Sequence, residues 1–161
     1  MNTRVQTLIA DLQLQPHPEG GYYREIFRSE RLVLVDGKHT VRSALTSIYF
    51  LLEAGQQSRW HRVESDEAWS HLEGDVLELY SFDADSAQGM VSRLGPYASG
   101  TESTRVIPAG IWQAARPLGA YTLVTCSVGP GFDFIDFSMI DAHPAVGEAI
   151  RAQGELFASL I

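Results

Sequence analysis

A chain of 161 residues with 45% hydrophobic and 20% charged side chains has the make-up of one globular domain with a sizeable core. Twenty acidic residues against 12 basic ones leave a net charge of -8. Lys38 is the sole lysine and the arginines are scattered, so no basic cluster speaks for nucleic acid or an anionic membrane as partner. Cys126, the single cysteine, cannot close an internal disulfide, and its run YTLVTCSV reads as a buried strand in which the thiol is a small core hydrophobe.

The first element is a helix, with Val5, Leu8, Ile9 and Leu12 at helical spacing, Asn2 or Thr3 as N-cap, and Pro16 and Pro18 ending it. The segment is polar, unlike a signal peptide, and nothing approaches the roughly 20 apolar residues of a membrane span, so the expected location is the cytoplasm. After it come short runs rich in β-branched and aromatic residues: YYREIFRS, SALTSIYFLLE, SRWHRV, EAWSHLE, DVLELYSF, TRVIPAG, IWQAA, YTLVTCSV and FDFIDFSMI. Turn residues separate them, which predicts strands. The chain closes on a second helix, PAVGEAIRAQGELFASLI, with Pro144 in its first turn and Gly147 and Gly154 weakening it. With no helices interleaved, the pattern predicts an all-β antiparallel sandwich or barrel with a helix at each end.

One constellation carries chemistry. Gly55 precedes His61 by six positions; Val63, Glu67 and Gly74 follow. This resembles the first motif of the cupin superfamily, glycine, His-x-His, glutamate, glycine, with valine at the second histidine. Pro108, Gly110 and Gln113 resemble the second motif, Pro-x-Gly-x-x-His, with glutamine in place of histidine. PHPEGGYYREIFRS (16–29) and VGPGFDFIDF (128–137) are similar to signatures of one single-domain cupin subfamily of unknown biochemical function, found in bacteria and fungi and related in fold to the dTDP-sugar epimerases. The resemblance runs from about Pro16 to Phe137 and implies a jelly-roll β-barrel, with residues 1–161 forming a single domain, and a homodimer, in which an extended YYREIFRS could pair with the partner's sheet. It implies no substrate. The chain departs from the subfamily after Trp69: Ser70 stands where a histidine is common, and His71 comes one later, a shift that exchanges the faces of a strand.

Spacing judges these residues independently of the family. In a strand, positions two apart share a face about 7 Å apart, so a His-x-His pair converges on one ion, whereas Val63 has no lone pair to offer beside His61. Glu67, Trp69 and His71 share parity, yet Glu67 and His71 lie about 13 Å apart along an ideal strand, too far for one ion without a bulge. The amide oxygen of Gln113 is a weak ligand for zinc or iron. A carboxylate on an inward-facing strand position needs either a salt bridge, for which Arg59, Arg62 and Arg116 are candidates, or a raised pKa and a role as acid or base. Trp112 should face away from its neighbour Gln113. The Gly20–Gly21 pair reads as a tight turn laying the chain onto the sheet; Glu19, Tyr22 or Tyr23 would then cover the barrel mouth. PGFDFIDF reads as a core strand with a structural aspartate.

The expected pocket lies inside the barrel. His61 and Glu67 are its candidate catalytic groups. Val63, Trp69, Gln113, Tyr49, Tyr22 and His71 are candidate ligand contacts. Three readings stand: a metal-independent pocket for a small sugar- or nucleotide-like ligand, with or without isomerase or epimerase activity and with no cofactor; a divalent-metal enzyme using His61, Glu67 and Gln113; and a storage-type barrel packed shut.

Overall fold

A computed structural model describes residues 2–35, 37 and 39–161; Lys38 lies outside them. The chain opens with α1 (Thr3–Asp11), capped by Asn2, whose Oδ1 accepts the Arg4 N–H at 2.8 Å. Thirteen strands follow: β1 (Gln15–Pro16), β2 (Tyr22–Arg28), β3 (Leu32–Val35), β4 (Thr40–Ser43), β5 (Thr46–Glu53), β6 (Ser58–Val63), β7 (Asp66–Gly74), β8 (Leu77–Asp83), β9 (Gln88–Leu94), β10 (Thr104–Ile107), β11 (Trp112–Pro117), β12 (Tyr121–Gly129) and β13 (Phe137–Met139). Helices α2 (Pro144–Arg151) and α3 (Glu155–Ala158) close the chain, broken at Gly154, where φ is +123°. Among the described residues no helix is long and apolar enough to cross a membrane.

The strands form an antiparallel jelly roll of two sheets, β1-β2-β5-β12-β7-β10 and β13-β6-β11-β8-β9, with β3 and β4 as a separate hairpin. Period-two alternation sorts side chains into layers. Phe50, Leu52, Trp69, Val124 and Cys126 of the first sheet meet Leu77, Leu79, Leu94 and Ala115 of the second, in the core between them. Leu51 and Leu123 point the other way and bury Val5 and Leu8 of α1. Trp60, Tyr80 and Trp112 face outward from the second sheet and are covered by Ile150 of α2 and by Leu160. Trp112 and Gln113 thus lie on opposite faces, as alternation requires.

Two departures from the sequence expectation shape the site. The run FDFIDFSMI is not one strand. Asp133 Oδ1 accepts the Ile135 N–H at 3.0 Å and turns Phe134–Asp136 into a 3-10 segment before β13 begins. Asp136 then pairs with Arg42 of β4 at 2.7 Å, so this loop is tied to the β3–β4 hairpin, which the sequence reading did not anticipate. The second departure is at PHPEGG. Gly20 N–H donates to His17 O and His17 N–H to Gly21 O, closing a tight turn, and the Glu19 carbonyl accepts the Arg59 N–H at 2.9 Å. The turn delivers Glu19 to the start of β6, inside the barrel rather than over its mouth.

Candidate functional site

A cavity of about 460 Å³ opens between the sheets, within the size range of small-molecule sites. Its base is built from β6, β7, β12 and the PHPEGG turn. Glu19, His61 and Glu67 line it and are 6%, 2% and 7% exposed. His61 Nδ1 lies 2.8 Å from the Arg59 carbonyl, which can only accept, so the ring carries its proton on Nδ1. Nε2 is left facing Glu19 Oε2 at 3.2 Å. The other Glu19 oxygen accepts from Ser58 Oγ at 2.8 Å. His17 Nδ1 accepts the Glu19 N–H at 3.3 Å, so the neutral His17 ring holds its proton on Nε2.

Glu67 is held differently. Trp69 Nε1–H, a donor only, fixes the Gln113 carbonyl at 3.0 Å, and this turns the Gln113 NH2 onto Glu67 Oε2. The Cys126 thiol lies beside the Glu67 carboxyl and acts to lower its pKa slightly. None of the arginines considered as partners reaches it: Arg59 pairs with Asp141, Arg62 with Glu64 and Arg116 with Glu78. Burial therefore outweighs these hydrogen bonds. It pushes Glu19 and Glu67 each from 4.5 up to about 7, and holds His61 and His17 below the usual histidine range. The Cys126 thiol is pushed up by burial and by the nearby carboxylates, so it stays protonated.

The sequence-derived candidates divide cleanly. His61, Val63 and Glu67 line the cavity. Trp69 and Gln113 stand behind Glu67 and orient it. Tyr22 and Tyr49 pack on the outer face with α1. The β7 bulge falls beyond His71, whose Nε2 sits 3.3 Å from Gly74 O, so it does not bring this ring toward Glu67. Pocket walls not singled out from the sequence include His17, Cys126 and the rim rings Phe132, Phe134 and Phe137, while Ser58 stands behind Glu19. The signal for Glu19 was the glycine pair after it, which permits a backbone turn no other residue makes cheaply.

A family model described as "Cupin superfamily (DUF985)" matches residues 6–140. The chain belongs to this cupin family. Among solved structures, this cupin is similar to a hypothetical protein from Leishmania major, with 30% identity over 91% of this chain and 96% of that one, TM-score 0.79. It is also similar to a Shewanella oneidensis protein, with 29% identity over 99% and 96% of the two chains and a TM-score of 0.82. Oxalate decarboxylase from Bacillus subtilis shares 17% identity over 86% of this chain and 33% of its own, with a TM-score of 0.58, a likeness of fold alone. Among curated proteins nothing matches the chain.

The metal common to cupins does not fit the residues of this one. Of the four ligand positions, Val63 has no donor atom, and the Gln113 oxygen is a weak ligand that already accepts from Trp69. That leaves His61 and Glu67, and among the described residues no group of three or more His, Cys, Asp or Glu is arranged to hold an ion. Trp69→Phe should cost about 2 kcal/mol in urea unfolding, because it strands a buried Gln113 carbonyl. A loss no larger than that of Trp112→Phe would mean the amide is not held by that bond.

Proposed function

We propose that this cupin binds a small polar ligand, sugar- or nucleotide-like in size, and transfers protons on it without a metal, in the manner of an isomerase or epimerase. The observation that carries the reading is the pair of buried carboxyls, Glu19 and Glu67, both within electrostatic reach of His61 and without a cationic partner. A general acid or base works best with a pKa near the operating pH, and two carboxyls near 7 supply both forms at once. Glu67, turned by Gln113, and the Glu19–His61 couple are separate proton carriers: one takes a proton from the ligand while the other returns one. The open cavity supports this reading over a barrel packed shut, and the donor set supports it over the metal enzyme.

The test is to incubate the protein in D2O with a panel of neutral sugars, amino sugars, sugar phosphates and nucleotide sugars, and to follow carbon-bound protons by NMR. At least one ligand should lose a C–H signal with the wild type. The rate should fall roughly 100-fold or more in His61→Asn. Exchange with no member of the panel removes the proton-transfer reading.

A further inference from the structure

Among the described residues, the cavity has acidic groups to spare and no cation that is not already paired with a carboxylate. Among the described residues Arg28 is the one arginine in its wall, and two of its three nitrogens are engaged. Nε and Nη2 hold the two Glu25 oxygens at 3.0 and 2.7 Å, and Nη2 also meets the Phe132 carbonyl at 3.1 Å. The Arg28–Glu25 pair cancels and Asp133 at the rim is within reach of Arg28 and Arg42, which leaves Glu19 and Glu67 at the base. The remaining wall is largely aromatic: Tyr23, Phe50, Phe132, Phe134 and Phe137 line it, and ring faces carry negative potential. Charge and rings therefore act in one direction.

We propose that the ligand is an organic cation, a protonated amine on a sugar-sized hydroxylated body, with its ammonium against the Glu19 and Glu67 carboxyls, and that phosphorylated ligands are rejected. The inference rests on the cavity being a ligand site and narrows that ligand from sugar- or nucleotide-like to amino-sugar-like. An ammonium supplies the countercharge whose absence holds both carboxyls near 7, so each ionises more readily once the ligand is bound. The His17 Nε2–H is a donor suited to a ligand hydroxyl. A phosphate, by contrast, would be desolvated among carboxylates with Arg28 already engaged.

The experiment titrates full-length protein with glucosamine, N-acetylglucosamine and glucose 6-phosphate at about pH 6.5, where the amine is protonated. Binding is read from the NMR resonances of residues around His61 and Glu67. Glucosamine should bind roughly tenfold or more tighter than its acetylated form, and lose a similar factor in Glu67→Gln, while glucose 6-phosphate leaves these resonances in place. Equal or tighter binding of either of the other two overturns the charge assignment and leaves the ligand site standing. If none of the three moves the cavity resonances, the amine inference falls, and the wider panel in D2O decides separately whether the cavity takes a ligand. The isosteric Glu67→Gln change keeps an oxygen for Gln113 to donate to, so loss of binding is not loss of the fold.

Discussion

Replacing Glu67 with glutamine should make the protein more stable at pH 8 and leave its stability at pH 4.5 nearly unchanged, while abolishing whatever the cavity does. Glu67 is buried, and its pKa is raised from 4.5 to about 7 chiefly by burial. A raised carboxyl contributes its stability fully below its unfolded value, and that stability is lost as pH rises through the folded value. The window is therefore about 4.5 to 7. A shift of this size corresponds to a cost on the order of 3 kcal/mol once the group is ionised. The new amide oxygen can still accept from Gln113, so the change removes a charge without opening a hole. Urea unfolding of both proteins at the two pH values checks this. Lower stability of Glu67→Gln at pH 8 would show the carboxylate to be net favourable in the fold, and the argument that it is kept for a ligand would lose its basis. Higher stability with ligand binding intact would sink that argument too, because the carboxylate would then be a cost with no use.

The fold was legible because its signals are local. SRWHRV, IWQAA and YTLVTCSV are short, rich in β-branched or aromatic residues and bounded by turn residues, so they could be read as strands without neighbours. LVLV at Leu32–Val35 and QGMVSRL at Gln88–Leu94 were missed for the opposite reason. Both alternate weakly, carry exposed apolar side chains and sit at sheet margins where burial does not discipline the pattern. The site was half legible. His61 and Glu67 were found because they fall at the histidine and glutamate positions of the first cupin motif, whose order along the chain is local. Glu19 and His17 do not, since they reach the cavity through a turn whose direction depends on backbone pairing to Arg59, some 40 residues on, a contact that no periodicity encodes. Tyr22 and Tyr49 failed similarly: tyrosine beside a catalytic motif is suggestive chemistry, but their parity turns them toward α1, where the first helix needed apolar cover. Gln113 was seen as a weak ligand. Its role as an orienting amide became visible only when Trp69 supplied a donor that fixes its flip.

Gly20→Ala should be the most damaging small change in the chain. Gly20 has φ of +113°, and a Cβ there would stand 2.1 Å from the Gln57 carbonyl oxygen, a backbone atom that cannot swing aside. A side chain in that region of φ costs about 1–3 kcal/mol in strain alone, before the collision is relieved. Relief requires the turn to lift off β6, which breaks the bond from Arg59 N–H to Glu19 O and withdraws the Glu19 carboxyl from His61. The expected loss is roughly 3 kcal/mol or more in chemical unfolding, with Glu19 displaced and function gone. Glu19→Gln is the matched control. It leaves the turn in place and removes a buried carboxyl whose pKa is raised to about 7, so it should be neutral or stabilising at pH 8 while also losing function. The two variants would then agree in activity and differ in the sign of their stability change. If Gly20→Ala folds as well as the wild type, the turn can shift at no cost, and the glycine pair is not what holds Glu19 against His61.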